Sequence, residues 1–248
     1  MAKASTAKKQ PADNSSLVSV MNTDMSVVPS YVSTESGRGN ENIAGNIAIP
    51  RLKQLQKMSN EVDKHHPDYI EGAEEGDWID TIQRQVLGQS VKVISVNFKS
   101  SFVVWKNREA SGNPQKLGEF ETAEEANAAV AAQENQTFEK PNGETVPYWD
   151  VTKSHKHLVL AFDKNEQLLP TPYLMDFASS KITPSNNWNT KIHALQGDRF
   201  ATVWEIKSQY MTKGTNAWFN IIAEGPVGWT AQNHYKVAEE LYLSTKEF

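Results

Sequence analysis

Cysteine is absent from the 248 residues, which excludes disulfides, thiol nucleophiles and cysteine metal sites. No apolar run approaches the roughly 20 residues that span a bilayer, and the lysine-containing N-terminus lacks the apolar core of a secretory signal. Together with a negative mean hydropathy, these absences predict a soluble protein, independent of membranes and suited to a reducing cytoplasm.

Catalytic signatures are missing as well: the sequence has no Walker loop, no GxSxG and no HExxH motif. Asp77 and Asp80 flank Trp78, but an acidic, solvated loop explains both carboxylates. His155 and His157 share one face of a predicted strand, yet no third ligand stands at a diagnostic distance, so we expect surface histidines. The sequence therefore predicts no enzyme, no cofactor and no metal site.

Charge is distributed unevenly around a net value of −5. Between Glu61 and Asp80 eight acids face one lysine, and between Glu109 and Glu144 eight acids face two lysines. The interval from Val91 to Arg108 holds four cations and no acid, and its segment FKSSFVVWKNR (residues 98–108) adds three aromatic rings. The net-acidic chain thus places one basic, aromatic strand between two acidic segments.

The periodicities predict a mainly β protein of the α+β class, with a disordered arm at 1–40 and a single domain at 41–248. IPRLKQLQKMS is predicted to be a short helix. Alternating apolar residues predict a long strand that spans 91–105, in which Ile94, Val96, Phe98, Phe102 and Val104 share the core face. TAEEANAAVAAQ begins as a helix with a capping box.

Four further strands are predicted in HKHLVLAFD, TPYLMDFAS, RFATVWEIKSQYM and NAWFNIIAE. A helix with Thr183 as its cap separates the third strand from the fourth, and a terminal helix spans 230–243. Five strands with a helix at that place have the element order of an OB-fold barrel. Its binding face would be framed by a long insertion, residues 107–154, and a basic loop, residues 212–216.

Single strands bind to aromatic faces and to cations along a groove. The residues predicted to supply them are Lys99, Trp105, Lys106, Arg108, Lys153, Lys156, Lys207, Tyr210, Lys213 and Trp218. The competing interpretation is that strand aromatics belong to the core and strand lysines guard an edge. Trp188 and Trp204 are assigned to the core on that ground.

Three segments carry a resemblance to a known family: IPRLKQLQ, VNFKSSFVVWKNR and VWEIKSQYMTKGTNAWFNI. Over residues 45–248 the chain resembles the single-stranded DNA-binding proteins of tailed bacteriophages, of the T7 replication type. The resemblance implies an OB barrel that binds single-stranded DNA during phage replication and recombination, without catalysis, in the cytoplasm of the bacterial host.

The same resemblance implies an acidic tail that ends in an aromatic residue and contacts the phage DNA polymerase or helicase. Glu247 and Phe248 match that ending, whereas the preceding AEELYLSTK has a helical pattern and little acidity. Two other classes stay open, a virion-associated structural protein tethered by its arm and a protein-binding module that acts on a host factor through the acidic loops. A homodimer is one assembly compatible with the sequence.

Overall fold

Antiparallel strands dominate the computed structural model, which describes residues 49–111 and 115–246. The predicted arm 1–40 and the terminal Glu247 and Phe248 lie outside the described residues. The strands are β1 (Leu52–Gln54), β2 (Trp78–Asp80), β3 (Val86–Gly88), β4 (Ser90–Lys106), β5 (Lys116–Phe120), β6 (Thr137–Glu139), β7 (Thr145–Pro147), β8 (Trp149–Phe162), β9 (Leu168–Ala178), β10 (Thr202–Lys213) and β11 (Asn216–Trp229). The α-helices are α1 (Arg108–Ser111), α2 (Ala123–Ala131), α3 (Ile182–Ala194) and α4 (Gln232–Ser244). The predicted α+β class is confirmed.

The five long strands form one sheet in the order β11-β10-β4-β8-β9. Numbered along the chain, they therefore lie as fifth, fourth, first, second and third. One edge of β4 serves two partners, because β10 pairs with its residues 90–94 and β5 pairs with its residues 102–105. In the described part of the chain no ladder joins β9 to β11, so hydrogen-bonded strands do not close the predicted barrel.

A β-bulge divides β4 and corrects the predicted core face. The register against β8 shifts between Ser95 and Asn97, which moves later residues to the opposite face. Ahead of the bulge both faces are buried: Val91 and Val93 join the main core, whereas Ile94 and Val96 join a second core beneath α4. The main core also contains Trp188 and Trp204, as predicted.

Residues 49–59 do not form the predicted helix. Leu52–Gln54 is a strand paired with β2, and its neighbour Arg51 bridges to Leu174 on β9. The side chain of Gln54 is buried and donates to the carbonyl of Asn220, 2.9 Å away. Tertiary hydrogen bonding thus overrides the local helical pattern, and Met58, predicted to line the helix, is 93% exposed.

Asp77 and Asp80 are buried, which corrects the prediction of a solvated acidic loop. Asp80 accepts from the Tyr173 hydroxyl at 2.9 Å and from the backbone N–H groups of Ile82 and Gln83. Three donors replace the lost water, so the carboxylate fixes the turn after β2 against the main sheet.

The helices α2, α3 and α4 lie close to their predicted places. The capping box of Thr122 and Glu125 is present, whereas α3 begins at Ile182 and makes Thr183 a helical residue rather than the cap. A 3-10 turn, Ser179–Lys181, leads directly into α3 and displaces its start toward the N-terminus. The insertion is also shorter than predicted, because β8 begins at Trp149 and not after residue 154. In the described ranges no helix is long and apolar enough to cross a membrane.

Candidate nucleic-acid interface

Lys99 and Lys156 lie directly opposite each other on β4 and β8, and we call them the lysine pair. Each of the two lysines contacts an acid, either Glu119 of β5 or Glu121, which directly follows β5. Lys99 Nζ is 3.4 Å from a carboxylate oxygen of Glu121, and Lys156 donates a short hydrogen bond to Glu119. The lysine pair is therefore already neutralised by side chains of the insertion.

Glu119 is held firmly in its ionised form. Burial opposes ionisation of this carboxyl, but hydrogen bonds from Lys156, Ser101 and Lys116 outweigh burial and lower its pKa to about 2. The contact between β5 and β8 is thus an ion pair at every pH at which the protein would function. A phosphate would have to displace Glu119 before it could bind Lys156.

A groove of about 660 Å³ lies where β4 ends and α1 begins, and we call it the strand-end groove. The Trp105 side chain is 40% exposed in it, and Lys106 Nζ lies 5.0 Å from the centre of the Tyr148 ring. The residues that line the groove are Trp105, Lys106, Asn107, Arg108, Glu109, Asp150, Thr152, Ala178 and Ser179. Trp105, Lys106 and Arg108 thus line one groove, although the side chains of Trp105 and Lys106 point to opposite faces of β4.

The charges in the strand-end groove are less compensated than those of the lysine pair. Among residues 49–111 and 115–246, Lys106 and Arg108 make no salt bridge. Glu109 is paired with Lys140 at 2.7 Å, which leaves Asp150 as the unpaired carboxylate. The lining of the groove thus includes two basic residues and one acid that make no salt bridge within the described residues.

The other predicted lysines are dispersed. Lys207 pairs with Glu224 at 2.6 Å and with Glu205 at 3.3 Å, so its charge is already compensated. Lys213 is exposed at the tip of the β10–β11 hairpin, and Lys153 is exposed within β8 opposite Phe102. The structure therefore does not bring all the predicted cations together in one groove.

The hairpin aromatics form their own contacts. Tyr210 is 59% exposed and packs edge-on against Phe219, with ring centres 5.3 Å apart. Gln56 accepts from the Phe219 N–H and donates to its carbonyl, which ties β11 to the chain after β1. Trp218 is partly buried, and its indole nitrogen has no hydrogen-bond partner in the described residues. Tyr210 is thus the ring of this hairpin that a ligand would reach first.

A second groove, of about 300 Å³, escaped prediction and is called here the β1–β9 groove. It is lined by Arg51, Leu52, Lys53, Gln54, Trp78, Thr81, Asp176, Phe177 and Lys181. The sequence feature that could have indicated this groove is the pair of cations in IPRLKQLQ, but that segment was predicted to be a helix. Ala178 and Ser179 of the strand-end groove lie between Phe177 and Lys181 in the chain, so the two grooves adjoin along the end of β9.

His155 and His157 are buried, so the prediction of surface histidines is wrong. Both face α3, where the hydroxyl of Ser185 lies 2.9 Å from His155 Nδ1 and 2.7 Å from His157 Nε2. The His157 ring also stacks on Trp188, with centres 4.5 Å apart. We call this set, together with Arg199, the inner network.

Hydrogen-bond direction in the inner network follows from Arg199. A guanidinium only donates, so His157 Nδ1, 3.1 Å from Arg199 Nη2, must accept. His157 then carries its proton on Nε2 and donates to Ser185. Burial first, then the charges of Arg199 and His155, lower the pKa of His157 well below its ordinary value. The ring is a hydrogen-bonded structural group and not a base for Ser185.

Metal ligands are equally scarce, since the described residues contain no group of three or more His, Asp or Glu side chains placed to hold an ion. A family model described as "Pam3 phage gp34-like protein" matches residues 21–247. The chain belongs to this family. No curated protein and no solved structure matches it. The Pam3 phage gp34-like family supports the phage origin implied by the sequence resemblance, and its description says nothing of DNA binding.

Proposed function

We propose that this member of the Pam3 phage gp34-like family binds single-stranded DNA without catalysis, as a component of phage DNA replication and recombination. The observation that carries the proposal is the strand-end groove, which is lined by the exposed Trp105 and by two basic residues, Lys106 and Arg108, that make no salt bridge in the described residues. Stacking on a ring tolerates any base, and cations neutralise the backbone, so the site is suited to a single strand of any sequence.

The sheet order supports an OB-type barrel as the scaffold. The order fifth, fourth, first, second, third is that of an OB-fold opened between its third and fifth strands. Side-chain contacts span the opening: Asn220 on β11 donates to the Ser180 carbonyl at 3.1 Å, and Lys191 on α3 donates to the Ala223 carbonyl at 2.8 Å. We infer that α3 and these contacts take the place of the closing ladder.

The position of the groove agrees with this scaffold. In OB-folds the ligand crosses the face of the second and third strands, between the loops that follow the first and fourth strands. Counted along the chain, β8 and β9 are the second and third of the five long strands. They supply the groove residues Asp150, Thr152 and Ala178. Asn107 and Arg108 begin the segment that follows the first strand. A ligand in the strand-end groove would therefore run along the expected face.

The inner network supports a non-catalytic role. Ser185 is the one hydroxyl hydrogen-bonded to two histidines in the described residues, yet it is fully buried and His157 donates to it. His155 Nδ1 is then the group that can accept the Ser185 proton, but a fully buried hydroxyl is out of reach of a substrate. The arrangement therefore fixes α3 to the sheet and leaves the strand-end groove as the candidate ligand site.

The test is fluorescence anisotropy of a labelled oligonucleotide of 20 nucleotides, as a single strand and as a duplex, across a salt series. We expect salt-dependent binding that favours the single strand at every salt concentration. Absence of binding at low salt would overturn the proposal. Co-purification with mature particles in that case would favour the structural class, and recovery with a host protein would favour the protein-binding module.

A further inference from the structure

The β1–β9 groove concentrates positive charge next to the proposed ligand path. It is lined by Arg51, which precedes β1, by Lys53 of β1, and by Lys181 of the 3-10 turn after β9. Asp176 is the carboxylate among the lining residues, and Arg51 already pairs with it at 3.2 Å. Two lysines therefore face the groove beyond the charge that Asp176 can compensate.

The two lysines differ in their own partners. Lys53 Nζ contacts Glu61 at 2.7 Å, so an acid outside the groove already compensates it. Within residues 49–111 and 115–246, Lys181 has neither a salt bridge nor a side-chain hydrogen bond. It is partly buried beside Trp78 and Phe177, where water can solvate an ammonium only in part. A partly buried cation without a carboxylate partner favours the binding of an anion, because the anion compensates its charge.

On the basis of the proposed function, we propose that the β1–β9 groove is a phosphate subsite for the bound single strand. Lys181 binds one backbone phosphate of the DNA at the point where the strand extends beyond the strand-end groove. Ser179 joins the two grooves, since it lines the first and begins the turn that ends at Lys181. Thr81 supplies a hydroxyl in the same groove. The ligand class is a phosphodiester, contacted by charge and not by base edges.

Binding a phosphate here would take up a proton in mild alkali. Burial lowers the pKa of Lys181 to about 8 in the free protein, and a bound phosphate would raise that pKa by favouring the ammonium form. A pKa that is raised on binding gives affinity that is full below the free pKa and is lost as pH rises above it. Linkage of one proton then predicts a decline of roughly tenfold in affinity between pH 7 and pH 9.

The experiment measures the affinity of the full chain for one labelled single strand at pH 7, 8 and 9 and fixed salt. Lys181→Arg keeps the positive charge through pH 9, so its affinity should lose most of this pH dependence. Lys164→Arg, on the β8–β9 turn at the opposite end of β9, is the matched control and should keep the wild-type profile. The α-amino group titrates in the same range, and therefore the comparison among the three proteins carries the result.

Lys181→Met removes the charge without adding polar bulk, and it should reduce the slope of log affinity against log salt by about 0.7. A wild-type pH profile in Lys181→Arg, together with an unchanged slope in Lys181→Met, would overturn the subsite while the proposed function stands. Absence of binding by the wild type would remove both. If the variants unfold, protection of Lys181 from acetylation by the bound strand, read by mass spectrometry, decides the matter: equal acetylation with and without DNA rejects the subsite.

Discussion

Polar side chains on the two faces of β8 differ in burial and in their contacts. On the inner face His155 and His157 are buried and bound by Ser185, and Arg199 completes the network. The outer face carries Lys156, which an acid of the insertion neutralises. Beyond it, Asp150 and Thr152 open onto the strand-end groove. One strand thus fixes the fold on one side and offers ligand chemistry on the other.

The outer face itself is divided by the insertion. The lysine pair and the groove cations Lys106 and Arg108 belong to one basic segment or its ladder partner, yet Glu119 and Glu121 reach only the lysine pair. A phosphate gains less from a cation that already contacts a carboxylate, because it must first displace that carboxylate. Local charge in the sequence therefore overstates the number of available phosphate sites.

The largest expected effect lies on the inner face. Trp188→Ala should destabilise the protein by about 3–5 kcal/mol, because it removes a fully buried ring and the stacking surface of His157. Denaturant unfolding measures this change in the free energy of unfolding. Trp188→Phe should be destabilised less than Trp188→Ala, because phenylalanine keeps most of the ring volume. If Trp188→Ala were as stable as the wild type but failed to bind DNA, α3 would be a recognition element and the comparison of faces would be inverted.

Trp105→Ala should have the reverse signature. We expect weaker single-strand binding by about 1–3 kcal/mol with an unchanged thermal midpoint, because the ring is exposed and stacks on a base. Trp229, 75% exposed at the end of β11, is the matched control, and Trp229→Ala should bind as the wild type does. Equal weakening in both variants, or in neither, would place the stacking ring elsewhere on the molecule.

The inner network should make stability fall in mild acid. Burial lowers the pKa of His157 in the folded state, so the unfolded chain takes up a proton first as pH falls below about 6.5. One such group changes the free energy of unfolding by at most about 1.4 kcal/mol between pH 6.5 and 5.5. The check is NMR titration of the imidazoles: His157 should stay neutral to pH 5.5, and a ring that titrates near 6.5 would show an open network.

The smallest effect separates the lysine pair from the strand-end groove. Lys106→Ala and Arg108→Ala should each lower the salt slope of single-strand binding by about 0.7, equivalent to roughly fivefold in affinity for a tenfold change in salt. Lys99→Ala should change the slope less, because Glu121 already neutralises that lysine. Equal slopes in all three variants would show that the insertion moves aside on binding and that the lysine pair also contacts phosphates.

Much of the fold could be predicted because its determinants are local. The capping box at Thr122 and Glu125, the turn between β8 and β9 and the β10–β11 hairpin each depend on a few consecutive residues. Trp188 and Trp204 were assigned to the core because aromatic residues dominate protein interiors, and both are fully buried. Of the candidate site, Trp105, Lys106 and Arg108 were identified by residue type and are the predicted residues that line one groove.

What tertiary structure alone decided are contacts between distant parts of the chain. The bulge after Ser95 changes which side chains face inward, and no local pattern marks it. Glu119 meets Lys156 only because β5 and β8 both lie beside β4, and that pairing removes a predicted cation from the site. No sequence pattern distinguishes Lys181, and it becomes a candidate phosphate-binding residue only when β1 is placed against β9. The sequence by itself determined the element order and the residue types available for binding. Their availability depends on neighbours that are close in space and far apart in the chain, because charge compensation and burial are set by distance between atoms.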